Sequence, residues 1–153
     1  MTGCNDMPIG LRAQRGVGLI EVLVAVVVLA IGLLGVAALQ ANSLKSNQSA
    51  SERSLAVILN YSIIDAMRAN IEVARTGGYN YAPNAGECNR PNDGSQADND
   101  ISQWLDTIEA NLGAGACGEI NCAAGTCDIE IEWNDSRGIA GDAAHTVVSE
   151  VRL

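Results

Sequence analysis

Residues 15–39 read RGVGLIEVLVAVVVLAIGLLGVAAL, and the reading of the other residues in the 153-residue chain follows from this stretch. From Val17 to Leu39 the one charged side chain is Glu21, and the uncharged run from Val22 to Leu39 holds 18 residues. At about 1.5 Å per residue that run makes roughly 27 Å of helix, close to the thickness of a bilayer's hydrocarbon core. With 17–20 added, the segment is long enough to cross. A cleaved secretory signal has a shorter apolar region that ends in an Ala-x-Ala-like site, which this stretch lacks. A helix buried in a soluble core needs apolar surroundings, and the polar remainder of the chain has too little apolar surface to provide them. The segment therefore reads as a membrane helix. Arg12 and Arg15 lie just before it, and such cations favour the cytoplasmic side, so the rest of the chain is expected to face the periplasm or exterior.

Composition narrows the function classes. Hydrophobic residues make up 48% of the chain, but aromatic residues only 3% with no Phe, and the apolar residues are densest in that one block. An ordinary cytosolic enzyme spreads its aliphatic residues over many periodic segments. The formal net charge of −9 argues against nucleic acid, which needs a basic face to neutralise phosphates. A single His, no Gly-rich phosphate loop and no strained nucleophile turn leave no catalytic constellation, so the expectation is a non-enzyme without catalytic residues, metal or cofactor.

Glu21 is the exception inside the block. A carboxylate in hydrocarbon costs several kcal/mol and marks a functional candidate whose partner must be named, although a position so near the block's start also lets it reach the cytoplasmic interface. The run Arg15-Gly16-Val17-Gly18-Leu19-Ile20-Glu21 resembles the class III signal of type IV prepilins and type II secretion pseudopilins. That resemblance implies cleavage by a prepilin peptidase between Gly16 and Val17, methylation of the new amino terminus at Val17, and subunit assembly through Glu21. In the family this Glu attracts the amino terminus of a neighbouring subunit, an attraction strengthened in an apolar core. The sequence has Val17 where the family usually has Phe, and no Pro lies between Val17 and Pro83, so Gly32 and Gly35 are the sites of local looseness in the helix.

Beyond the block, 40–54 is polar but has neither Gly nor Pro, and reads as a solvent-facing continuation of the helix. Leu55, Ile58, Leu59, Ser62, Ile63, Ala66, Met67, Asn70 and Val73 then recur at three- and four-residue spacing, which predicts one buried face. The spacing predicts a single helix from Val17 to Ala74 that stops at Gly77-Gly78. The stretches 32–40, 53–56 and 65–70, above all Met67-Arg68-Ala69-Asn70, are similar to minor pilins of the PilV, or type IV pilus modification, family. The implied role is a structural subunit that primes pilus assembly with other minor pilins and the major pilin and sits at or near the tip. A tip adhesin is a further implied partner, and twitching motility and attachment follow downstream. The alternatives are a minor pseudopilin of a type II secretion system and a membrane-anchored domain that never assembles.

In the remainder, 77–100 reads as a loop whose Asp93, Asp98 and Asp100 lack the EF-hand spacing. A short helix is predicted over 101–112, capped by Asp100 and closed by Gly113. Alternation predicts strands over 127–133 and 145–153, the second with Val147, Val151 and Leu153 on one side. Packed on the helix they give an α+β fold with a small antiparallel sheet. Cys4 falls in the leader, and Cys88, Cys117, Cys122 and Cys127 are disulfide candidates with three possible pairings. A zinc site with His145 is the weaker reading, for want of a Cys-x-x-Cys. The domain reading is 1–16 leader, 17–39 membrane and filament-core helix, 40–76 amphipathic continuation and 77–153 disulfide-stapled part, with the protein first in the inner membrane and then in the pilus.

Overall fold

The structure is a computed structural model that describes residues 18–84, 86–92, 94–139 and 141–153. The element order is α1 (Leu19–Ala69), α2 (Ile71–Arg75), α3 (Gln96–Leu112), β1 (Cys117–Ala123), β2 (Thr126–Trp133) and β3 (His145–Arg152). By compactness the chain divides into Met1–Gln40 and Ala41–Leu153.

In the first unit the described residues 19–40 are helical and every side chain is exposed. The run of Val, Leu, Ile and Ala has no capping or breaking residue within it, and Gly32 and Gly35 interrupt neither the hydrogen bonding nor the helix. α1 is long and apolar enough to cross a membrane, and its most apolar window is wholly unburied.

The second unit is an α+β fold. A three-stranded antiparallel sheet in the order β1-β2-β3 packs on the 41–69 part of α1 and on α3. Ala56, Leu59, Ile63, Ile64 and Met67 face Trp104, Leu105, Ile129, Ile131 and Trp133 in a single core. The buried stripe differs from the one the spacing predicted: Ile58, Ser62 and Val73 are exposed, while Ala56, Asn60 and Ile64 lie inside. Asn60 turns inward because its amide finds acceptors there, donating to Ser149 Oγ at 3.0 Å and to the carbonyl oxygens of Ile129 and Val147 at 3.3 and 3.4 Å.

The predicted single helix to Ala74 is broken at Asn70, whose φ of −122° and ψ of 48° leave the helical region. α2 then ends in a Schellman cap: Gly78 N–H donates to Val73 O at 2.9 Å and Gly77 N–H to Ala74 O at 3.1 Å, with Gly77 at φ +80°. α3 begins five residues before the predicted start, because Ser95 and not Asp100 is its cap. The Ser95 hydroxyl accepts from Asp98 N–H at 3.0 Å. Asp100 is inside the helix and instead accepts the Tyr79 hydroxyl at 2.6 Å.

β1 is an element that alternation did not predict, since Gly118, Glu119 and Asn121 weaken its pattern. Pairing supplies what propensity does not. β1 lies in register with β2 from Cys117↔Glu132 to Ala123↔Thr126. The Trp104 ring covers Gly118 so closely that any Cβ there would enter it. The turn between β1 and β2 holds Ala124 at φ 51° and Gly125 at φ 81°, the backbone of a two-residue type I′ hairpin. A left-handed backbone costs an L-residue other than Asn or Asp about 1 kcal/mol. Ala124→Asn is therefore expected to raise the stability of the full chain by roughly 0.5–1 kcal/mol, read by denaturant unfolding of the tryptophan fluorescence. An unchanged or lowered midpoint would contradict the turn assignment.

Candidate functional site

Gly16 and Val17, the expected leader cleavage and methylation positions, lie outside the described residues, as do the rest of the leader and the flanking Arg12 and Arg15. Glu21 is described. It occupies the first turn of α1, where Gly18 O accepts the backbone N–H groups of Glu21 at 2.9 Å and Val22 at 3.3 Å. The first-turn N–H groups of a helix carry partial positive charge, so an acidic side chain there stabilises the helix start. Among the described residues no salt bridge reaches Glu21. It is thus a lone, exposed carboxylate beside Val22, Ala25 and Val26, and from there to Leu39 only apolar side chains follow. Such an arrangement attracts a cation from another molecule and offers it an apolar helix surface alongside.

The four described cysteines pair as Cys88–Cys117 and Cys122–Cys127. Both bridges end on the sheet, the first tying the loop before α3 to β1 and the second joining β1 to β2 across the hairpin. With all four sulfurs in disulfides, the thiolates that a zinc site requires are absent. His145 lies instead edge-on to Trp133, with ring centroids 4.8 Å apart.

Two polar clusters that the sequence reading did not single out hold the second unit together. In one, Asp135 is 2% exposed and accepts the Ser49 hydroxyl at 2.5 Å, with Arg53 Nη2 at 3.6 Å. Beside it, Glu52 accepts from Trp133 Nε1 at 3.2 Å and faces Arg137 Nη2 at 3.7 Å. The β2–β3 loop is thereby tied to α1, and Gly141 is required because a Cβ there would fall onto the Asp135 carbonyl. The signal in the sequence was the spacing of Ser49, Glu52 and Arg53, a polar stripe on one helix face facing an acidic loop.

In the other cluster, the buried Tyr79 donates to Asp100 Oδ2 at 2.6 Å and accepts from Asn70 Nδ2 at 3.4 Å. Burial, reinforced by the Asp100 carboxylate and opposed by Asn70, pushes the phenol from its usual 10.0 to about 12. Burial likewise raises Tyr81, against the opposing charge of Arg90. Arg90 binds Asp106 Oδ1 at 2.8 Å, and this bond raises its guanidinium further.

The description "Prokaryotic N-terminal methylation motif" matches residues 11–37 of this chain. No curated protein and no solved structure matches it. The matched span covers the expected cleavage position, Glu21 and most of the exposed apolar stretch of α1, and it supports a type IV pilin or pseudopilin subunit. It points to a structural subunit rather than an enzyme. A leader of this kind implies processing by a prepilin peptidase and assembly with other pilins, and with the apolar helix it fits membrane anchoring followed by incorporation into a filament.

The Tyr79 geometry has a measurable consequence. The fold favours the neutral phenol, so this group's contribution to stability is complete below pH 10.0 and is lost as pH rises toward about 12. In ultraviolet titration Tyr79→Phe is expected to remove the phenolate step of highest pH, and to flatten the alkaline fall in stability over that window. Survival of that step in the variant would contradict the assignment.

Proposed function

We propose that this chain is a minor type IV pilin, a structural subunit that primes pilus assembly with other minor pilins and takes its place at or near the pilus tip. The observation that carries the reading is the coincidence of two features at one place. The methylation motif over 11–37 overlaps the stretch 19–40 of α1, whose apolar side chains are all exposed and whose one carboxylate, Glu21, stands in the first turn. In this reading prepilin peptidase cuts after Gly16 and Val17 becomes the methylated amino terminus. Residues 17–39 first anchor the subunit in the inner membrane and then enter the filament core. Glu21 receives the amino terminus of a neighbouring subunit, and the 77–153 part faces the periplasm before assembly.

The pilus is favoured over a type II secretion pseudopilus by the stretches 32–40, 53–56 and 65–70, which resemble PilV-type minor pilins. Met67 of that region is a core residue, whereas Asp65 and Arg68 form an exposed ion pair at 3.2 Å that is free to meet neighbours. Twitching motility and adhesion, with a tip adhesin as a further partner, are the processes such a subunit supports.

The test is the intact mass and amino-terminal sequence of membrane-purified protein from cells with and without prepilin peptidase. The expected result is a methylated start at Val17 that depends on the peptidase. A start at Met1 in both strains would overturn the filament reading, and co-purification with secretion components instead of pilins would replace the pilus by the pseudopilus. Glu21→Ala is expected to be processed normally yet to fall at least about tenfold in sheared filaments, since removing one partner of a buried ion pair costs about 3–5 kcal/mol. Normal incorporation would remove the pairing role from Glu21.

A further inference from the structure

The two edges of the sheet are treated differently by the chain. On β1, Ile120 exchanges backbone hydrogen bonds with Tyr81 at 2.8 and 2.9 Å. Its neighbour Cys122 donates its N–H to Asn80 Oδ1 at 2.7 Å and accepts from Asn80 Nδ2 at 3.3 Å. Ile120 and Cys122 thus direct their backbone groups away from β2, and that edge is closed by the chain itself. Antiparallel ladders alternate, so Glu119 and Asn121 bond to β2, whereas Cys127, Ile129 and Ile131 of β2 bond to Val151, Ser149 and Val147 of β3. The N–H and C=O groups of Thr146, Val148, Glu150 and Arg152 must then point outward.

All four residues are exposed, and among the described residues no hydrogen bond outside the sheet's own ladder reaches their backbone groups. β3 is paired without a bulge over its eight residues and contains no Pro, two of the devices that blunt an open edge, and its charges are limited to Glu150 and Arg152 at one end, with His145 at the other. Such a row is a template for one more strand.

The two faces beside this edge specify what that strand carries. On the helix side, Val147 and Val151 are only half-buried. Around α1, Leu59 is the residue held by α3 through Trp104 Nε1 at 3.0 Å, and Asn60 sits over the β2–β3 ladder. One further step away from α3 come Val57, 38% exposed, and Tyr61, 58% exposed. These two apolar side chains are left exposed on the far side of Asn60 from Leu59, with no further strand among the described residues. On the other face, Asp128 stands opposite Glu150 and Glu119 opposite Glu130, with Glu132 alongside. Like charges directly opposed across strands are unfavourable, and Arg152, the cation on this face of β3, forms no ion pair with them among the described residues, so the face stays net acidic.

We infer that the outer edge of β3 receives a β-strand from another protein chain, one that alternates apolar residues toward Val57 and Tyr61 with basic residues toward the acidic face. Main-chain hydrogen bonds to Thr146, Val148, Glu150 and Arg152 supply affinity, and the alternation supplies the choice of partner. The inference does not depend on the filament reading, because the edge exists in the single chain.

The test uses the full-length chain in lipid nanodiscs, a synthetic peptide alternating valine and lysine, and a second alternating valine and glutamate. Hydrogen exchange of 145–153 and the binding constant are read together. The lysine peptide is expected to slow exchange in β3 and to bind at least about tenfold more tightly than the glutamate peptide. Val148→Pro removes one outward N–H without touching the bonds to β2, and is expected to abolish binding. Glu150→Lys relieves its opposition to Asp128, so it folds at least as well, and is expected to lose the preference for lysine. It decides the matter even where the proline variant does not fold. Absence of binding, binding by the folded proline variant, or equal binding of the two peptides would overturn the inference. So would concentration-dependent protection of β3 without any peptide, which would assign the edge to a second copy of this chain.

Discussion

A helix surface that water cannot tolerate is the constraint on which this protein depends. Between Val22 and Leu39 every side chain of α1 is apolar and every one is exposed in the single chain. Burying each large aliphatic side chain is worth about 1.5–3 kcal/mol, so the segment must be in lipid or against other helices throughout its life. Glu21 limits which of these suffices. At the helix start a carboxylate can reach the interface of a bilayer, but inside a bundle of like helices it needs a cation, and the chain has none within the segment. A partner from a neighbouring molecule meets both demands at once.

The second unit solves the opposite problem. There one face of α1 must hold a small domain while the other faces water, and the aromatic-poor sequence provides few large side chains for the purpose. Two disulfides tie the β1 region to its surroundings, and Trp104 and Trp133 supply much of the buried volume. Polar groups then fix position where apolar bulk is short. Asn60 donates into the β2–β3 ladder, leaving its Oδ1 buried without a partner among the described residues, and Asp135 draws the β2–β3 loop onto Ser49 and Arg53. A buried, partly satisfied amide is unfavourable unless its geometry is needed. Here its donors reach the two strands that a purely apolar contact would leave free to slide.

The fold was legible wherever one physical signal dominated. The uncharged run to Leu39, the strict alternation of 127–133 and the double glycine at 77–78 each allowed a single interpretation, and the structure has a helix, a strand and a stop at those places. The reading failed where tertiary partners decide. Nothing within β1 outweighs its glycine and polar residues, and it becomes a strand because β2, Tyr81 and Asn80 pair with it. Asn60 and Ile64 are buried in place of Ile58 because the sheet packs to one side of the face that hydrophobicity alone selects, on the stripe of Ala56, Leu59, Asn60, Ile63, Ile64 and Met67. The cysteine pairing could not follow from spacing, since it depends on where the loop carrying Cys88 meets β1. At the amino terminus the motif was legible from residues 15–21, and the structure adds the first-turn placement of Glu21.

The central claim is that Glu21 meets the amino terminus of another subunit inside an assembled helix core. Zero-length carbodiimide cross-linking of sheared filaments, followed by mass spectrometry, tests it directly. The expected result is a cross-linked peptide joining the Glu21 carboxylate to the amino terminus of a neighbouring pilin, absent from unassembled protein in membranes. Filaments that contain this chain but give no such cross-link, while other contacts in the same sample are captured, would contradict it.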